Sequence, residues 1–123
     1  MAVVSSPHAV LAIPTSMAYN MSKAAIDHMS RTAAIELAPH RIRVNAVAFG
    51  SVMSGSLKAS CAENREWRDD IRNHTPLGRI ASPSELADTI QYLAADSSSF
   101  LTGEVIVVDG GRSLLDAVDA PAH

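Results

Sequence analysis

Arg41-Ile42-Arg43-Val44-Asn45-Ala46-Val47-Ala48-Phe49-Gly50 carries the firmest strand signal in this chain. Ile42, Val44, Ala46 and Val47 form an apolar, largely β-branched run that predicts a strand over 41–48, and Phe49-Gly50-Ser51 breaks it. Just upstream, Pro39 bars a helix from running on. Ahead of it Ala25, Ile26, Met29, Ala33 and Leu37 recur at helical steps and predict an amphipathic helix over 19–37. At the N-terminus, Ala2-Val3-Val4-Ser5-Ser6 is a short apolar run with no turn signal before it. It reads as a buried strand cut near its start, so the chain is expected to be incomplete at that end.

Downstream, residues 54–75 are polar and irregular, and read as a mobile flap with one short helix around 63–71. Ser82-Pro83-Ser84-Glu85 is a capping box with proline at the first helical position. The helix it starts shows Leu86, Ile90, Leu93 and Ala94 on one stripe and ends near Asp96-Ser97-Ser98-Ser99. Thr102-Gly103 is a turn, and Glu104-Val105-Ile106-Val107-Val108 is a run typical of a strand buried on both faces, stopped by Asp109-Gly110-Gly111. Strand, helix, strand, flap, helix, strand makes two crossover units, hence an α/β fold with a parallel sheet and helices on both faces. Ligands of such sheets sit beyond the carboxyl ends of the strands, here near Ser5-Ser6, Phe49-Gly50 and Asp109-Gly110.

With 123 residues, 47% of them hydrophobic, the chain can build one core without disulfide or metal staples. Cys61 is the only cysteine, which excludes an internal disulfide and fits a reducing compartment, with the cytoplasm as default. The formal net charge of −3, with basic residues scattered along the chain, gives no nucleic-acid footprint. No apolar run spans a bilayer, and no signal peptide is evident. His8, His28, His40, His74 and His123 lack ligand spacing, so no metal site is expected. Gly50 to Gly55 has the glycine spacing of a P-loop, but Ser56 stands where its lysine must be. Trp67 either lines a pocket or packs locally, and Met17, Met21, Met29 and Met53 either give a soft apolar pocket wall or, the commoner role, fill core.

Tyr19 and Lys23, four apart at the head of a helix, project from one face. An ammonium beside a phenol favours the phenolate, which makes the two an acid–base pair. On spacing alone a solvated surface pair is the commoner origin of Tyr-x-x-x-Lys. Ser6 adds a hydroxyl at the carboxyl end of the first strand, so three polar groups can converge there.

Taken together, Ser6 thirteen residues before Tyr19-Asn20-Met21-Ser22-Lys23 resembles the signature of the short-chain dehydrogenase/reductase family. Arg41 to Val47, Pro76-Leu77-Gly78-Arg79 through Glu85, and Leu101-Thr102-Gly103 through Gly111 are similar to its later strands and helix entry, in order. The resemblance implies a partial doubly wound, Rossmann-like parallel sheet: the carboxyl-terminal three strands with flanking helices, residues 1–112, followed by a tail, 113–123. It implies an NAD- or NADP-dependent oxidoreductase acting on an alcohol or ketone. Tyr19 would be the general acid/base, Lys23 would favour its phenolate and bond the nicotinamide ribose, and Ser6 would orient the reacting oxygen. Phe49, Gly50, Val52 and Ser54 would lie beside the cofactor, with Phe49 and Ser54 standing where the family has proline and threonine. No G-x-G-x-x-G can be written from the six glycines, so the turn that holds the pyrophosphate has no counterpart here.

Two functions follow. The first is a truncated oxidoreductase, inactive alone. The second is a non-catalytic interaction or oligomerisation module, pairing through the helix stripe or through the apolar edge left open beside the first strand.

Overall fold

A single parallel sheet organises the chain, in the order β1 (Ala2–Ser5), β2 (Asn45–Phe49), β3 (Val105–Val108). The structure is a computed structural model and describes residues 1–115. Among the described residues four α-helices accompany the sheet: α1 (Met17–Leu37), α2 (Gly55–Glu63), α3 (Arg65–Asn73) and α4 (Pro83–Ala94). The α/β architecture with flanking helices is the one expected. Of the expected tail, residues 113 and 114 belong to a short 3₁₀ turn, Arg112–Leu114, and residues 116–123, His123 among them, lie outside the described residues.

β2 is buried along its whole length because it is central and covered on both faces. Alternation sends Val47 and Phe49 to one face, where they form a core with Leu93 of α4, joined by Leu86, Ile90, Ile106 and Val108. Ala46 and Ala48 project from the other face, toward α1. The strand begins later than its apolar pattern suggested, since Arg41 takes a left-handed conformation (φ 58°) that turns the chain out of the preceding 3₁₀ turn. Polar groups stitch the strand's entrance to the turn before β3. The Arg43 guanidinium donates to the carbonyls of Leu93 at 2.7 Å and Leu101 at 3.2 Å. Buried Asn45 donates to Leu101 O at 2.9 Å and accepts from the Glu104 N–H at 3.2 Å.

α1 departs from the expected stripe. Its buried residues are Asp27, Ser30 and Ala34, whereas Met29 and Ile35 are exposed, as are Met17 and Met21. The small alanines of β2 let this helix approach closely, and a close approach selects small side chains over large ones. The methionines are therefore not core filling. The segment expected to be a flap with one helix is instead two successive helices, α2 and α3. Ser54 Oγ accepts from Leu57 N–H at 3.2 Å to start the first, and Asn64 Oδ1 accepts from Trp67 N–H at 3.1 Å to start the second.

The capping box of α4 forms as expected, with Glu85 Oε2 accepting from the Ser82 N–H at 2.8 Å. Arg79 adds a two-pronged ion pair to the same carboxylate, at 2.6 and 2.8 Å. The bonds from Arg79, with the Ser82 N–H, hold the Glu85 carboxyl down from an ordinary 4.5 to about 2. A carboxyl depressed in the folded state contributes stability above its unfolded pKa. That contribution fades as pH falls from about 4.5 toward about 2. Carbon-detected NMR titration is expected to find Glu85 still ionised at pH 3 in the parent chain, and Arg79→Gln should move its midpoint upward toward the ordinary carboxylate value.

Candidate functional site

The carboxyl end of β1 gathers the polar groups picked out by sequence. Ser6 follows the last strand residue and is buried, and its Oγ accepts from the His8 N–H at 3.2 Å as the cap of the 3₁₀ turn Pro7–Ala9. Ser5 Oγ donates to Lys23 O at 3.5 Å, tying the strand to the first turns of α1. One helical turn apart, Tyr19 and Lys23 face the same way: Lys23 Nζ lies 5.5 Å from the centre of the Tyr19 ring. The His8 ring stands edge-on to that of Tyr19, centroids 5.4 Å apart. Tyr19 itself is 48% exposed.

Lys23 Nζ also donates to Val4 O at 3.2 Å. Met1 O accepts from the Asn45 N–H, and alternate residues of a strand present their backbone groups to alternate sides. The Val4 carbonyl thus lies on the side of β1 away from β2, on the free edge of the sheet. Two of the three ammonium hydrogens remain for another acceptor.

His8 packs its ring against Tyr19 within this cluster. Burial, with Arg112 nearby, lowers its pKa from 6.5, and its Nδ1 is buried without a partner. Asn20 donates to Ile13 O at 3.1 Å and leaves its own Oδ1 buried and bare. Behind Ser6, a cavity of about 160 Å³ is bounded by Asp27, Arg31 and Ala48, and Asp27 Oδ1 is buried there with no hydrogen bond.

The 49–54 segment lies at the carboxyl end of β2, but the side chains of Phe49, Val52 and Ser54 are engaged elsewhere. The Phe49 ring, 6% exposed, belongs to the α4-side core. Val52 pairs with Ala81 in an isolated parallel bridge and packs on the same core. Ser54 Oγ caps α2. What these three residues leave for a ligand at this end of the strand is their backbone. Gly50 has a structural reason of its own, since a Cβ there would stand 2.8 Å from both Cα and Cβ of Asp109. Asp109 cannot yield easily. Its carboxylate accepts from the N–H groups of Gly111 and Ser113, each at 2.8 Å, and though burial works the other way, bonds from Ser113 and Gly111 lower its pKa. Gly50→Ala is expected to destabilise the chain by about 1–3 kcal/mol through overpacking. Gly55→Ala, at a helical position with nothing within 4 Å, should be neutral or stabilising by up to about 1 kcal/mol. Urea denaturation of the two variants checks the contrast.

Trp67 is exposed on α3 and its side chain has no assigned contact with this cluster. Among the described residues no helix is long and apolar enough to cross a membrane, and no group of three or more His, Cys, Asp or Glu could hold a metal ion.

Comparison with known proteins gives this cluster its context. Residues 1–113 match the family described as enoyl-(acyl carrier protein) reductase. An uncharacterized oxidoreductase of Mycobacterium tuberculosis (strain CDC 1551 / Oshkosh) is 43% identical over 88% of this chain and 40% of its own length. A glucose 1-dehydrogenase of Gluconobacter oxydans (strain 621H) is 38% identical over 91% of this chain and 42% of its own length. The crystal structure of a short chain dehydrogenase family protein from Francisella tularensis subsp. tularensis SCHU S4 superposes with a TM-score of 0.83 at 35% identity, covering 93% of this chain and 51% of that one. The chain thus spans about two fifths of the length of these curated relatives. With its parallel sheet, its Tyr19–Lys23 pair beside Ser6 and these matches along nearly its whole length, the chain belongs to the short-chain dehydrogenase/reductase family.

Proposed function

We propose that these residues supply the proton-transfer part of an NAD(P)-dependent oxidoreductase acting on an alcohol/ketone pair. The observation that supports this reading is the Lys23 ammonium 5.5 Å from the Tyr19 ring at the carboxyl end of β1, beside Ser6. In the reducing direction the Tyr19 hydroxyl gives its proton to the substrate oxygen, and in the oxidising direction the phenolate takes it back. The Lys23 charge stabilises the negative oxygen left behind. The Ser6 oxygen already accepts from His8, so its own O–H remains to orient the substrate oxygen.

The residues present fit one end of the dinucleotide. The two spare Lys23 hydrogens and the Tyr19 hydroxyl would hold the nicotinamide ribose, and the backbone of Phe49, Gly50, Val52 and Ser54 would flank the ring. When bound, the nicotinamide supplies or takes the hydride. Among the described residues no glycine-rich turn cradles a pyrophosphate, and in our reading the chain alone is an incomplete enzyme, working in the reducing cytoplasm. Titration with NADH and NADPH, followed by nicotinamide fluorescence, is expected to show no saturation in the micromolar range. Saturable micromolar binding by the isolated chain would overturn the claim of incompleteness.

A second reading, an interaction module, is favoured by the free edge of β1 and by the exposed Met17, Met21 and Ile35 of α1. Light scattering separates the two. A monodisperse monomer with no affinity for an intact relative counts against the module.

A further inference from the structure

Half of the chain's ten lysines and arginines, scattered in sequence, border one open groove of about 1140 Å³. α2 turns Lys58 to it, with Cys61 and Ala62 on the same face. Arg65, Arg68 and Arg72 recur at helical steps on the facing side of α3, and Arg79 with Glu85 closes the far wall at the start of α4. The charges do not cancel. Arg79 is held by Glu85, and Arg72 approaches Asp69 at 3.8 Å. The side chains of Lys58, Arg65 and Arg68 make no ion pair or hydrogen bond with another described residue, and all three are exposed. A surplus of three positive charges thus faces one groove in a chain whose formal net charge is −3.

Guanidinium forks match the oxygens of phosphate and carboxylate two at a time, so this wall suits an anionic head. The groove also has an apolar part, from Met53, Ala62 and Ile80. Glu63, Glu66 and Asp70 sit on α2 and α3 outside the groove and would repel an extended polyanion. Met53 joins the groove to the 49–54 segment at the end of β2. We propose that this groove binds a small molecule bearing a phosphate or carboxylate head on an apolar body, and that this head is the anionic end of the oxidoreductase's substrate. The second clause rests on the function proposed above.

Binding is followed by isothermal titration calorimetry, which needs no reporter group in the groove. The full chain is titrated with hexyl phosphate, hexanoate, inorganic phosphate and hexanol. A saturable change is expected with hexyl phosphate or hexanoate, whichever head the groove prefers, and little with hexanol. Salt should weaken it. In the Arg65→Gln/Arg68→Gln double variant, with helix content confirmed by circular dichroism, binding should fall about tenfold or more, and the paired lysine substitutions should restore part of it. Tyr19→Phe should bind as the parent does. The proposal is overturned by no saturation up to about 10 mM of either anion, a regime of negligible affinity. It is equally overturned by hexanol binding as well as hexyl phosphate, by an unchanged double variant, or by an RNA oligonucleotide binding more tightly than both anions. Should anion binding hold while Tyr19 proves irrelevant to turnover, the groove stands and the oxidoreductase reading falls.

Discussion

Asn45→Leu is expected to cost about 1–3 kcal/mol, because it leaves the Glu104 N–H without its acceptor, whereas Leu101 O keeps the bond from the Arg43 guanidinium. The side chain is 1% exposed and bonds both ways, to Leu101 O and from Glu104 N–H. Leucine is of similar size, so the loss is one of hydrogen bonds rather than of packing. Set against the 5–15 kcal/mol of an ordinary domain, this is a sizeable part of the fold's margin. Urea denaturation followed by circular dichroism measures it. A loss under about 1 kcal/mol would mean that water or a rearranged turn satisfies the Glu104 N–H.

Tyr19→Phe is expected to lower turnover about 10²–10⁴-fold, the usual worth of a positioned general acid or base. Since the chain spans 42% of the Gluconobacter glucose 1-dehydrogenase, the measurement is made in a chimera that joins it to the amino-terminal part of that relative. Phenylalanine keeps the ring, its edge-on contact with His8 and its place 5.5 Å from the Lys23 ammonium, and removes only the hydroxyl. The effect should therefore fall mainly on kcat, with the cofactor Kd weakened only by the one ribose bond that the hydroxyl supplies. Equal turnover by the two chimeras would remove Tyr19 from the chemistry.

Much of this architecture was legible because strand and helix signals are local. β-branched runs gave β2 and β3, and Ser82-Pro83-Ser84-Glu85 gave the start of α4. Tyr19, Lys23 and Ser6 were legible for a related reason: a four-residue step on a helix and a position at a strand end both survive translation into space. The inner face of α1 was not. Hydropathy seats large apolar side chains inside, but a helix lying against Ala46 and Ala48 has room only for small ones, and Ser30 and Ala34 took the place offered to Met29. The short helix expected around 63–71 is α3, but α2 was hidden by its polar composition, though Ser54 was a capping signal in plain view. The cationic groove was invisible as well, because Lys58, Arg65 and Arg79 meet only once those helices form.

The bond from Lys23 to the Val4 carbonyl couples two things usually treated apart. A strand arriving along the free edge of β1 would seek that same acceptor with its own N–H, and displacing the ammonium would return all three of its hydrogens to the neighbourhood of Tyr19. Thermodynamic reciprocity then applies: whatever ligand draws Lys23 off the edge makes strand docking more favourable by the same factor that docking improves the ligand's affinity. Assembly and cofactor capture would be two readings of one equilibrium, with a single lysine as the exchange point.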